Sequence, residues 1–192
     1  MPDTTEEVIR QEKQRLRREG IAKRRAMTPD AVRRGGEIIA ARVLALPEVR
    51  RAPLVLSYVE KPGMNEVPTS PIIEALLAER KAVAVPRVEG EHLIWQSVDG
   101  LAGLVSDVFG VPTPEKDDRL VIRHYPPGTV CLVPGLWWTD AGYRLGYGKG
   151  YFDRFLLVLK LHSIGLGWKE SVIGDLPIEP HDQAVEVVIT DA

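Results

Sequence analysis

Short, unbroken apolar runs set the architecture of this chain. Leu54-Val55-Leu56-Ser57-Tyr58, Ala82-Val83-Ala84-Val85 and Val130-Cys131-Leu132-Val133 are each about one strand long and lack polar alternation. A strand that is apolar on both sides must be covered on both faces, as in a parallel sheet between helix layers. Helical segments separate these runs. Residues from about Thr5 to Met27 read as a helix rich in Arg, Lys and Glu. Thr28 can cap a second helix, with Pro29 at its first position and Asp30 near its positive end, running to about Leu46. Pro47 and Pro53 bracket a short link. Ser70-Pro71 opens a helix to about Arg80, with Ile72, Ile73, Leu76 and Leu77 on its core side. Pro86 is expected to end the second strand. Leu93-Ile94-Trp95 predicts a third, Tyr151 to about Leu159 a helix, and Ser163–Gly167 and Val185–Ile189 the last two strands. Residues 99–127 read as irregular, either a surround for a site or a surface excursion, and not a domain linker. The expected fold is α/β: a mostly parallel sheet covered by helices on both faces, in a single three-layer domain spanning 1–192.

Charge and composition exclude several roles. With 25 basic and 27 acidic residues, the formal charge of -2 gives no general drive toward nucleic acid or an anionic membrane. Cys131, the one cysteine, sits in an apolar run, so a buried thiol and a reducing cytoplasm are expected. No apolar run reaches membrane-spanning length, and Glu6, Glu7, Glu12 and Glu19 argue against a transit peptide. The expectation is a cytoplasmic monomer acting on small molecules.

The stretch that carries chemistry is Arg144-Leu145-Gly146-Tyr147-Gly148-Lys149-Gly150-Tyr151-Phe152-Asp153-Arg154. Alternating glycines let successive N–H groups turn toward one anion, and Arg144, Lys149 and Arg154 add positive charge. Asp153 is placed to hold a metal ion beside the same anion. Placed between a buried strand and a helix, this reads as a polyphosphate cradle. Gly-x-Gly-x-Gly matches neither the dinucleotide fingerprint nor the Walker A loop, where Ser or Thr follows the lysine. A flexible surface turn has similar spacing, but does not need Lys, Arg and Asp together.

These residues, with Leu132-Val133-Pro134-Gly135-Leu136, Asp140 and Gly142, resemble the signature of the 5-formyltetrahydrofolate cyclo-ligase family. Leu176-Pro177-Ile178-Glu179-Pro180-His181-Asp182 resembles that family's L-P-x-E-x-H-D, and Lys13-x-x-Leu16-Arg17 its K-x-x-L-R. Phe152 replaces a usual Tyr, and Trp137-Trp138 a smaller residue and Phe. The resemblance implies a fold of the NagB/RpiA/CoA-transferase-like group. It also implies ATP-driven closure of 5-formyltetrahydrofolate to 5,10-methenyltetrahydrofolate, with ATP as co-substrate and Mg²⁺ as cofactor.

The resemblance also implies the roles of particular residues. Lys13, Arg17, Arg144, Gly146, Gly148, Lys149, Gly150, Tyr151 and Asp153 would bind ATP, with Lys149 and Arg144 catalytic through the charge on the transferring group. Asp153 and Asp182 would hold the metal. Val59, Glu66, Phe109, Tyr147, Gly148 and Tyr151 would bind the folate, although Pro68 stands where a second acid is common. Tyr58, Trp95 and Trp138 are further candidates for the pocket wall. From periodicity alone, Lys13 and Arg17 belong to a solvated basic face with Arg15, Arg18, Lys23, Arg24 and Arg25. His181 reads as a hydrogen-bonded loop residue, and His92, His124 and His162 have no metal spacing. Three other readings remain: a divergent member with another salvage role, a nucleotide binder without turnover, and a phosphosugar isomerase on a similar fold.

Overall fold

A computed structural model describes residues 5–192. Helices α1 (Thr5–Arg25), α2 (Pro29–Ala45) and α3 (Pro47–Arg51) lead into strand β1 (Leu54–Ser57) and helix α4 (Ser70–Ala78). Strands β2 (Ala82–Glu89) and β3 (His92–Val98) form a hairpin, followed by a smaller one of β4 (Leu104–Ser106) and β5 (Pro112–Pro114). Then come β6 (Val130–Pro134), a short ribbon of β7 (Trp137–Trp138) and β8 (Arg144–Leu145), helix α5 (Tyr151–Val158), β9 (His162–Leu166) and β10 (Val187–Ile189). The main sheet has the order β10-β9-β6-β1-β2-β3. All its pairings are parallel except β2 with β3.

The unbroken apolar runs do cover both faces. Val55, Val83, Val85, Val130, Leu132 and Ile164 share one core with Ile39, Val43, Ile72, Ile73 and Leu76 of α2 and α4. Their neighbours Leu54, Leu56, Ala84, Cys131 and Val133 share the opposite core with Trp95, Trp138 and the α5 residues Phe152, Phe155 and Leu156. Each fully buried branched side chain contributes roughly 1.5–3 kcal/mol of transfer free energy. Burial also pushes the Cys131 thiol up to about 12.

Several expectations about the elements need correction. Pro86 does not end β2, which continues to Glu89. The Trp95 carbonyl and the Ser97 N–H turn away from β2, toward Ile122 and Leu120. Pro86 opposite Trp95 therefore occupies a position where no ladder N–H is required. The link from Pro47 to Pro53 contains the one-turn helix α3. Residues 99–127, expected to be irregular, contain the β4–β5 hairpin. The last strand begins at Val187, with Val185 packed in the core before it.

Trp95 and Trp138 are core residues rather than pocket wall, both fully buried. Trp95 packs against Phe152 and Phe155, with ring centroids 6.2 and 5.2 Å away. Trp138 fills a slot left by glycines at the ends of β6 and β9. A Cβ on Gly135 would lie 2.6 Å from its indole, and one on Gly165 or Gly167 would collide with the same ring.

Candidate functional site

The carboxyl ends of β1 and β6 open into a cavity of about 460 Å³, where open α/β sheets place their ligands. Its walls are the inner face of α1, residues 144–153, the free edge of the β2–β3 hairpin, the β4–β5 tip and the segment 179–182.

Helix α1 turns one side inward. Lys13, Leu16, Gly20 and Arg24 recur at intervals of three or four and are buried, whereas Arg15, Arg18, Lys23 and Arg25 are exposed. Leu16 packs with Leu136, Trp137, Leu145 and Leu176, and its carbonyl accepts a 2.7 Å bond from Trp137 Nε1. That packing sets the basic groups over the cavity. Arg24 thus departs from the solvated face on which periodicity alone places it.

The glycine loop follows the short β7–β8 ribbon rather than a strand of the main sheet. Its expected shape requires glycine where Arg17 crosses it. Gly148 has φ +91, and a Cβ there would lie 2.9 Å from Arg17 Cζ. Arg17 Nε donates to the Gly146 carbonyl at 3.0 Å. Among the described residues, no backbone N–H from Gly146 to Gly150 donates to a protein acceptor. The loop therefore offers bare donors beside the Arg17 guanidinium, the arrangement an anion requires. Lys149 is exposed, its Nζ 5.8 Å from the centre of the Phe109 ring. Arg154 braces the loop from outside the cavity lining, its donors going to the carbonyls of Glu91 and Lys149, each at 2.9 Å.

Buried Arg144 pairs with the half-buried Asp153 under the loop. Arg144 Nη2 lies 2.9 Å from Asp153 Oδ1, and Nη1 donates to the Gln183 carbonyl at 2.8 Å. Burial lowers the Arg144 pKa, opposed by the Asp153 charge. Lys13 Nζ lies 2.6 Å from both Glu179 and Asp182. Ligating atoms of Glu179, His181 and Asp182 fall within 4.8 Å of one another. Asp153 Oδ2 and Asp182 Oδ1 accept no hydrogen bond among the described residues. Such hard carboxylate oxygens facing an anion cradle suit magnesium.

The other end of the cavity surrounds Glu66, which is buried. One oxygen accepts the Lys61 N–H at 2.7 Å, the other lies 3.8 Å from Arg24 Nη1, and the Tyr147 hydroxyl, 3.5 Å from that same nitrogen, also favours the ionised carboxylate. Burial raises the Glu66 pKa against these three. Burial, then the Glu66 charge, pushes Tyr147 up to about 12. Val59 and Tyr58 form the floor, and the Tyr58 hydroxyl is fixed by the Val67 carbonyl at 2.9 Å. Phe109 reaches the cavity from the β4–β5 tip, shaped by Asp107 Oδ1 accepting the N–H groups of Phe109 and Val111 at 2.8 Å. Tyr151 and Phe152 line the wall between the two ends.

The cavity therefore gathers every candidate binding residue: Lys13, Arg17, Val59, Glu66, Phe109, Arg144, the 146–151 loop, Asp153 and Asp182. Sequence reasoning missed Arg24, Arg87, Lys61 and Glu179 in the walls or behind them. Glu179 stood in a quoted motif, and Arg24 follows Lys13 and Arg17 at helical spacing. Lys61 contributes a backbone N–H to Glu66, which no side-chain pattern signals.

Residues 9–191 match the family model described as the 5-formyltetrahydrofolate cyclo-ligase family. The 5-formyltetrahydrofolate cyclo-ligase of Escherichia coli (strain K12) is 28% identical over 174 residues, 88% of this chain and 94% of that protein. The enzyme of that name from Saccharomyces cerevisiae is 27% identical over 200 residues, 92% of this chain and 94% of the relative. The NMR structure of Aquifex aeolicus 5,10-methenyltetrahydrofolate synthetase superposes with a TM-score of 0.80 at 30% identity, covering 93% of this chain and 89% of that one.

Proposed function

The chain belongs to the 5-formyltetrahydrofolate cyclo-ligase family, and from that premise we propose that it is an ATP-dependent enzyme converting 5-formyltetrahydrofolate to 5,10-methenyltetrahydrofolate. The observation that carries this reading is one cavity with bare backbone donors and basic groups at one end and a buried carboxylate at the other. A formamide carbon is a poor electrophile and its oxygen a poor leaving group. Both obstacles disappear if the formyl oxygen attacks the γ-phosphorus of ATP, breaking the bond to ADP. Folate N10 then attacks the imidate carbon, loses its proton, and expels phosphate as the C–O bond breaks. No enzyme nucleophile is needed, so the protein's work is alignment, charge screening and exclusion of water.

Each part of the cavity has a role in that work. The N–H groups of Gly146, Gly148, Lys149 and Gly150 hold the phosphates, with Arg17 and Lys13 closing from α1. Lys149, on the exposed side of the loop, swings to the transferring group. Arg144 fixes Asp153 and adds positive potential beneath the loop. Asp153 and Asp182 would hold Mg²⁺, which when bound screens the triphosphate. Glu66 accepts N–H donors of the pterin edge, while Val59, Phe109, Tyr147 and Tyr151 flank its flat ring. The reading includes a cytoplasmic monomer with small-molecule substrates only; no helix among the described residues is long and apolar enough to cross a membrane.

The test is absorbance in the methenyl product band with purified protein, ATP, Mg²⁺ and 5-formyltetrahydrofolate. Product with one ADP per turnover is expected. Absence of product from folded protein that binds ATP refutes the reading.

A further inference from the structure

Arg24 has no place in the mechanism above, yet it is buried at 4% exposure. It reaches from the last turn of α1 to three parts of the cavity. Nη1 lies 3.8 Å from Glu66 Oε1 and 3.5 Å from the Tyr147 hydroxyl. Nη2 donates to the Gly135 carbonyl, just past the end of β6. Its Nε is buried without a partner, so the side chain gives up a hydrogen bond to hold this position. A buried arginine that accepts that cost is placed for its charge and its fork.

We propose that Arg24 is a positioning residue for the folate-binding end, acting through Glu66: it keeps that carboxylate ionised and aimed into the cavity. This rests on the proposed function, since it concerns which form of Glu66 meets the substrate. The groups facing Glu66 are Arg24 from α1, the Lys61 N–H and the Glu60 carboxylate after β1, Tyr58 at the end of β1, and Tyr147 from the glycine loop. Glu60 and burial oppose the ionised form. Arg24 is the one cationic side chain in the set. An ionised Glu66 accepts two N–H donors from a ligand edge; a protonated one presents a donor of its own and repels them. Tyr147 ties the same guanidinium to the phosphate loop, so α1 sets both ends of the cavity.

The test compares Arg24→Met, Arg24→Lys and Glu66→Gln with wild type. It uses folate and ATP KM across pH, and calorimetric binding of 5-formyltetrahydrofolate without ATP. Arg24→Met is expected to raise the folate KM about 10- to 100-fold, the scale of one hydrogen bond to a charged group, and the ATP KM far less. With the cation gone, Glu66 protonates at higher pH, so the rise in folate KM on acidification begins at higher pH than in wild type. Arg24→Lys keeps the charge and restores the wild-type midpoint. In a Glu66→Gln background the same Met substitution loses most of its effect. Should the Met variant not unfold cooperatively, Arg24→Gln takes its place. Normal wild-type turnover with an unmoved pH midpoint, or an equal loss in the Gln background, overturns this inference alone. Wild-type protein that binds no 5-formyltetrahydrofolate overturns the proposed function and this inference with it.

Discussion

Gly148→Ala tests whether Arg17 crossing the glycine loop is what shapes the phosphate end. Two costs separate cleanly. Gly148 sits at φ +91, and forcing an L-residue into left-handed backbone costs about 1–2 kcal/mol. The new Cβ would lie 2.9 Å from Arg17 Cζ and 3.1 Å from Nε, so the guanidinium must move off the Gly146 carbonyl. A hydrogen bond from a charged donor is worth about 1.5–3 kcal/mol, taken near the lower figure because Arg17 is only half-buried. The expected total is about 3 kcal/mol, or about 6–12 °C in Tm for a chain of this size. In an Arg17→Ala background only the backbone cost remains, about 1–2 kcal/mol. Urea unfolding followed by the fluorescence of the four tryptophans measures both. ATP-analogue affinity follows the same pattern: Gly148→Ala weakens it, but adds little once Arg17 is gone. An equal loss of stability in the two backgrounds would show that the contact with Arg17 carries no energy.

Lys149→Met is expected to lower kcat about a thousandfold or more, the scale of losing a phosphoryl-transfer cation, while folate KM changes little; single-turnover product formation checks it. Trp138→Ala empties the slot over Gly135, Gly165 and Gly167 and is expected to cost about 3–5 kcal/mol, read as a fall in urea midpoint. Glu66 predicts a pH signature in stability. Its folded pKa lies above the ordinary 4.5, so its favourable contribution is present in acid and is lost as pH rises through the folded pKa. Wild type should therefore lose stability relative to Glu66→Gln between acid and neutral pH, and a difference that is constant with pH refutes the burial argument.

The layered sheet was legible because its strands obey one local rule. Val130 to Val133 alternate between two cores, and a run that is apolar throughout can satisfy both. The glycine loop was legible because bare backbone beside fixed charge has few uses. What escaped was set by contacts between residues far apart in the chain. Pro86 looked like a strand end because its missing N–H matters only if a ladder bond is due there, and that parity is set by the register that places Pro86 opposite Trp95 of β3. Trp138 looked like a ligand platform because its slot is assembled from glycines 3 to 29 positions away. Arg24 looked solvated because helix α1 has so few apolar residues that periodicity does not say which side faces inward. The side that does is marked by Leu16 and Gly20, which dock on Leu136 and Trp137. A helix seated by so narrow an apolar seam brings Lys13, Arg17 and Arg24 under one constraint. Any change that rotates α1 should therefore disturb the acid pair at 179–182, the glycine loop and Glu66 together.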